Sequence, residues 1–390
     1  MRQLSLRLLV GVTAAAASMG LVLAATPQSR PLASIDVRLG TAVVPVAGSD
    51  GRTHFAYELH IPETSGTRDV RLDRLDVFGE LEAEPLLAYG PNDLEERVMR
   101  PGAARSTRYG RLVRRGTTAV VHVWVTLPNG TPMPRVLRNH LVLSEDGMEV
   151  PVGDIRADVQ TASPLVFGPP LRGGLWLAHN GPGDHFSAHW GSVLVENGRT
   201  TVPQRFAIDF IGLDSMGRGV RGDVRQSSNS DWIGFGADVL AVADGVVREA
   251  RDGVVDNVPL VEPPPPAGLG LPDVGGNYVV LQLGANQFVH YVHLQRGSVS
   301  VQQGQRVRRG QVLGRVGNSG NTNGAHLHFN VVDATSTEDS EGMPFMFDSF
   351  NVLGATTPEQ ALGETPASRP SSPVRRRRAL PLNGTIVNFP

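Results

Sequence analysis

The sequence predicts a mainly β protein made of two successive β domains, and three observations carry that expectation. Short runs of alternating or β-branched apolar residues recur along the chain, turn formers separate them, and no long stretch has helical periodicity. The length of 390 residues leaves room for two cores, since domains run to about 100–200 residues each. No internal repeat is detectable.

The first 25 residues are read apart from the fold. Met1-Arg2-Gln3-Leu4-Ser5-Leu6-Arg7 is a positive start, followed by an apolar stretch from Leu8 to Ala25. This is the pattern of a secretory signal peptide cleaved near Ala24 or Ala25, which leaves no stable membrane span. An uncleaved anchor is the other reading, because the run approaches bilayer length. Either way the protein is expected to be exported, to a periplasmic or extracellular compartment. The chain has no Cys, which excludes disulfides, thiol catalysis and a thiol-linked lipid. The 36 Lys+Arg nearly balance 38 Asp+Glu, so no overall field draws the chain to nucleic acid. All of those basic residues are Arg.

Residues 34–166 predict an N-terminal β-sandwich-like domain. Its strand candidates include Phe55-Ala56-Tyr57-Glu58-Leu59, Val70-Arg71-Leu72 and Thr118–Val125, with turns such as Pro128-Asn129-Gly130. His54, His60, His122 and His140 lack ligand spacing and read as ordinary surface or core histidines. Phe167 to Gly174 reads as a linker. Seven of the 11 His then fall between His179 and His328, so chemistry is expected in this half.

Residues 175–350 predict a second, compact antiparallel β domain. Strand-like runs cover Phe206–Ile211, Val239–Ala243, Val246–Ala250, Tyr278–Leu283, Phe288–Leu294, Val312–Val316 and Leu327–Val332, and Asp244-Gly245 suits a two-residue hairpin turn. The stretch Asp252–Gly276, with Pro263-Pro264-Pro265-Pro266, is too proline-rich for a central strand and reads as a loop beside a groove. Residues 356–390 are rich in Pro, Ser and Arg, including Arg375-Arg376-Arg377-Arg378, and read as a flexible, solvated tail.

Chemistry concentrates on His326-Leu327-His328. Residues two apart in a strand share a face, so both imidazoles project together while Leu327 and Phe329 face the core. Two His and a carboxylate make a three-ligand zinc site with a fourth position for water. Asp209 is the candidate carboxylate, since it interrupts the apolar strand Phe206-Ala207-Ile208-Asp209-Phe210-Ile211. By itself the motif leaves metal binding and a solvated pair of surface His both open.

The surrounding text adds a family. Val289-His290-Tyr291-Val292-His293-Leu294, the Gly304, Gly310 and Gly314 rhythm, and Gly317-Asn318-Ser319-Gly320-Asn321-Thr322-Asn323-Gly324-Ala325-His326-Leu327-His328-Phe329 resemble the lysostaphin or LytM-type zinc metalloendopeptidases. The resemblance reaches back through Gly236–Val247 to Asp209 and covers roughly residues 175–350. It implies a compact antiparallel β domain with a groove, and hydrolysis of peptide bonds in peptidoglycan cross-links by zinc-activated water. By position it makes Asp209 and His328 zinc ligands, and His293 and His326 the catalytic His that orient water, shuttle protons and stabilise the oxyanion. His290, out of phase with His293, is expected to face away.

One position breaks the family pattern. The first zinc ligand, a His four residues before the Asp, is replaced by Arg205. A guanidinium cannot donate a lone pair to zinc. His179, His185 and His189 are the candidate replacements. Trp190–Glu196, Asn197-Gly198 and Arg199–Gln204 read as a hairpin that returns His189 close to the empty ligand position, so the expected ligand set is His189, Asp209 and His328. Arg205 itself is expected to pair with a nearby acid.

Two functions remain open at this level. An active exported zinc endopeptidase is supported by Asp209, His293, His326 and His328, and a catalytically degenerate envelope-binding or regulatory module by Arg205. A lipoyl or biotinyl carrier, suggested by the glycine rhythm, is excluded because no Lys is available as acceptor. The expected partner is a peptidoglycan peptide. For the N-terminal domain, no residue selects among substrate positioning, groove occlusion and partner recruitment.

Overall fold

Two long hairpin-like pairings form the first half of the computed structural model, which describes residues 35–390 apart from 63–68, 102–108, 151, 153, 184–186, 197–198 and 337–338. The expected N-terminal signal segment and His185 lie outside the described residues. Thr53–Ile61 pairs antiparallel with Ala119–Thr126, and Val70–Phe78 with Val136–Glu145. These pairs centre a five-stranded and a six-stranded sheet. Alternation decides the packing: Phe55, Tyr57, Leu59 and Ile61 are fully buried, and Tyr57 Oη of one sheet donates to Asn139 Oδ1 of the other at 2.7 Å.

The opposite face of that first sheet is buried as well. Ala56, Val120 and Trp124 join one hydrophobic cluster with Phe167, Trp190, Phe206, Phe329 and Phe345 from the second half. Both faces being covered explains why every residue of Phe55–Leu59 and Ala119–Val125 is buried. Residues 33–390 form one compact unit.

The second half is organised on an eleven-stranded sheet. Its middle runs through Leu175–His179, Ile208–Leu213, Leu327–Val332, Gln287–Leu294, Asn277–Gly284 and Gly245–Arg251, each antiparallel to the next. Ile208 and Phe210 lie in the main cluster with Leu327 and Phe329, whereas Ile211 and Leu213 pack on the other face with Leu177 and Ile386. Asp209 shares that second face. The chain is mainly β with antiparallel sheets, and no described helix is long and apolar enough to cross a membrane.

The C-terminal stretch departs from the solvated tail expected of it. Val374–Ala379 pairs with Phe345–Ala355, and Thr385–Asn388 inserts between Phe345–Ala355 and Leu175–His179. The physical reason lies in which groups are solvated. Arg375 to Arg378 keep their side chains largely exposed on an edge strand while the backbone joins the ladder, a usual way of keeping an edge soluble. Leu380, Ile386, Val387 and Phe389 are fully buried. Phe389 packs its ring against Phe210, Phe347 and Phe350. Phe389→Ala is therefore expected to cost about 3–5 kcal/mol of stability; a urea midpoint unchanged from wild type contradicts this placement.

Candidate metal centre

Cross-strand register creates the centre. Asp209 lies directly opposite His328 on the neighbouring strand, and Asp209 Oδ1 accepts from His328 Nδ1 at 3.0 Å. His179 is the partner of Asp209 on the other side, and the next residue, Asn180, donates from Nδ2 to Asp209 Oδ2 at 2.9 Å. His189 arrives from a turn: Gly191 N donates to Ser187 O and Ser192 N to His189 O, which aims His189 Nε2 at Asp209 Oδ2, 3.3 Å away. His189 Nδ1 donates to the Ala207 carbonyl at 3.3 Å, so Nε2 is the ring nitrogen turned toward the centre. His189, Asp209 and His328 are all buried and offer ligand atoms within 4.8 Å of one another.

Two further imidazoles face this trio. His293 Nδ1 donates to the Ser319 carbonyl at 2.8 Å, and His326 Nδ1 to the Gly324 carbonyl at 2.8 Å. A carbonyl only accepts, so each ring carries its proton on Nδ1 and presents Nε2 to the site. His326 Nε2 is 3.3 Å from Asp209 Oδ1. The ring centroids of His293 and His326 are 4.9 Å apart, and those of His189 and His328 are 4.7 Å apart. The five residues lie in a cavity of about 380 Å³, whose rim includes Leu269, Leu271 and Val274 from the proline-rich insertion.

The Asn- and Gly-rich loop before His326 holds these carbonyls in place. Gly320 and Gly276 both have positive φ, and a Cβ on Gly320 would lie 2.4 Å from the Gly276 backbone nitrogen. That close approach lets Ser319 Oγ donate to Leu294 O at 2.7 Å and accept from Asn277 N at 2.9 Å. Ser319 O is thereby fixed beside His293.

Charge distribution follows from burial and crowding. For Asp209 burial favours the neutral acid, yet the neighbouring His189 and His326 outweigh it and hold the carboxyl well below the usual range. Burial, with His326 and His328 nearby, keeps His293 well below the ordinary imidazole value. Burial likewise lowers His328. For His326 burial opposes protonation, but the Asp209 carboxylate wins and the pKa rises.

Several residues stand differently from the sequence reading. His290 does not face away. Tyr278 is opposed by two residues, Val292 and His293, in a β-bulge, and His293 takes φ 64°. The extra residue turns His293 onto the face that His290 and Val292 already occupy opposite Asn330 and His328. His179 adjoins Asp209 in register but is not among the three clustered ligands. The hairpin after His189 has the two-residue register, Glu196 opposite Arg199, and stops at Leu194 opposite Thr201; Pro203 follows, so Trp190 and Arg205 leave the ladder.

Arg205 is buried away from the groove. Its Nη2 meets Glu58 Oε2 at 2.7 Å and Glu341 Oε2 at 2.8 Å, Nε donates to Glu58 Oε1 at 2.8 Å, and Nη1 donates to Gly342 O at 2.9 Å. Glu58 belongs to the first half of the chain and was not singled out in the sequence. The available signal was an acid inside the apolar run Phe55–Leu59, the same signal that marks Asp209. Asn180 and Ser319, which orient Asp209 and His293, carry no comparable mark.

A family model described as peptidase family M23 matches residues 231–340. Residues 231–340 thus carry the likeness to peptidase family M23. The match holds His293, His326 and His328, and begins beyond His189, Arg205 and Asp209. The chain is similar to the peptidoglycan DD-endopeptidase ShyA of Vibrio cholerae, 44% identical over 57 residues, covering 15% of this chain and 13% of that protein. It is also similar to ShyC, a peptidoglycan DD-endopeptidase of the same organism, 28% identical over 111 residues, covering 28% and 21% respectively. Only these small fractions of the two relatives are spanned. Among solved structures, the catalytic domain of the antimicrobial peptidase lysostaphin from Staphylococcus simulans aligns over 44% of this chain and 88% of that one, with 18% identity and a TM-score of 0.23.

The buried His290 gives a pH test of this packing. Burial, with His328 nearby, pushes its pKa down to about 3. Below the ordinary value of about 6.5 the unfolded chain takes up a proton that the folded chain refuses, so stability falls as pH falls, by about 1.4 kcal/mol per unit. His290→Leu in metal-free protein is expected to lose about 2 kcal/mol less than wild type between pH 6.5 and pH 5. Equal losses, read from urea midpoints, would place His290 in solvent.

Proposed function

We propose that this protein is an exported zinc endopeptidase that hydrolyses peptide bonds in peptidoglycan cross-links. The observation that carries the reading is the grouping of His189, Asp209 and His328 beside two further imidazoles in one cavity. The donor set fits zinc: two imidazoles and a carboxylate are a common catalytic set, and ligands on a tetrahedral zinc stand roughly 3.3 Å apart. The separations of 3.3 Å from His189 and 3.0 Å from His328 to Asp209 are of that size. Export rests on the signal-like first 25 residues, and the substrate class on the peptidoglycan endopeptidases that the chain is similar to.

His189 Nε2, Asp209 and His328 Nδ1 would hold the ion. When bound, zinc supplies Lewis-acid polarisation of the scissile carbonyl and lowers the pKa of the attacking water. His293 and His326 contribute through Nε2, where each holds or passes a proton, because Nδ1 of each is committed to a backbone carbonyl. Once protonated there, each also donates to the developing oxyanion. Asn180 keeps one Asp209 oxygen aligned, and Leu269, Leu271 and Val274 of the insertion line the same cavity.

The test is zinc content per chain together with hydrolysis of cross-linked peptidoglycan. Asp209→Ala and His328→Ala are expected to lose both. His293→Ala and His326→Ala are expected to keep zinc and lose roughly 10²- to 10⁴-fold in kcat. Wild type with neither zinc nor turnover would instead make the groove a catalytically degenerate binding module.

A further inference from the structure

We propose that Glu58, a residue of the N-terminal β region, is a positioning residue for the metal centre, acting through Trp190 on His189. The proposal rests on the reading of His189 as a ligand. Glu58 is fully buried and sits where the two halves of the chain meet. Its Oε1 accepts from the Trp190 indole Nε1 at 2.6 Å, and the same carboxylate takes three contacts from Arg205. Trp190 is the residue after His189, within the turn that aims the imidazole.

Two constraints make the link specific. Within the turn the bonds are local: Trp190 N to Ser187 Oγ at 3.1 Å, Ser192 Oγ to Ala188 O at 3.1 Å, and the two backbone bonds of Gly191 and Ser192. His189 Nδ1 reaches Ala207 O, and Trp190 anchors the turn to the first half of the chain, with its ring edge-on to His122 and Trp124 from the strand paired with that of Glu58. The indole N–H needs an acceptor when buried, and Glu58 supplies it. Arg205 matters here for a second reason. A carboxylate as deep as Glu58 is sustainable only with a cation against it, and Arg205 is that cation. The residue that breaks the family's ligand spacing thus stabilises the acid that holds the replacement ligand's turn.

No described residue of the first half lines the cavity, so the contact of Glu58 with Trp190 reaches the centre from behind rather than by covering it. Glu341 offers a control. It shares Arg205 with Glu58, yet none of its hydrogen bonds goes to Trp190.

The experiment measures zinc affinity of the full chain by chelator competition, with urea midpoints in parallel, for wild type, Glu58→Ala, Trp190→Phe and Glu341→Gln. Glu58→Ala leaves Arg205 paired with Glu341 and Gly342 O. Trp190→Phe removes the indole N–H while keeping an aromatic ring. Both are expected to weaken zinc binding about 10- to 100-fold, the usual effect of losing an outer-shell partner, while Glu341→Gln lowers the midpoint and leaves affinity unchanged. Wild-type affinity in Trp190→Phe, or equal weakening in all three, overturns the proposal. If wild type itself takes up no zinc, the function proposed above fails separately. The Glu58 claim is then read from the His189 imidazole resonances of metal-free protein, which should move in Trp190→Phe but not in Glu341→Gln; unmoved resonances overturn it.

Discussion

The antiparallel register that sets Asp209 against His328 is the constraint on which the rest of the molecule depends. Because strand side chains alternate, the same pairing that brings carboxylate and imidazole together at 3.0 Å sends Ile208, Phe210, Leu327 and Phe329 into the core. A one-residue slip would bury the polar pair in the core and expose those four apolar side chains. Hydrophobic burial therefore fixes the donor geometry, and no loop is needed to set Asp209 against His328.

What remains is an electrostatic problem. Asp209 is buried, and a buried carboxylate persists only with donors or cations around it. Asn180 and the imidazoles of His189, His326 and His328 surround it. Burial and crowding lower the pKa of His293 and His328, whereas the Asp209 carboxylate raises that of His326. The proposed divalent cation would supply fixed positive charge beside the Asp209 carboxylate. The second ion pair, Glu58 with Arg205, solves the analogous problem at the junction of the two halves, where both partners are essentially inaccessible.

Much of this was legible in the sequence because it follows from period-two patterning. The strands around Asp209 and His328 alternate, so their faces could be read, and the family resemblance put His293 and His326 beside them. The bulge at His293 could not be read, since one extra residue leaves the apolar pattern of Phe288–Leu294 intact while reversing which neighbours share its face. The C-terminal strand was obscured by four consecutive arginines, whose solvated side chains conceal a paired backbone. Glu58 stands out locally as an acid inside an apolar run, but its partner lies 147 positions away, and local pattern carries no trace of that contact.

The central claim is that His189, reaching in from a turn, completes the ligand set that Arg205 vacates. Anomalous diffraction at the zinc absorption edge, from crystals of the full chain grown with zinc, tests it most directly. The account requires a single strong peak bonded to His189 Nε2, Asp209 and His328 Nδ1. A peak held by His179 or His185 instead, or none between Asp209 and His328, would contradict it.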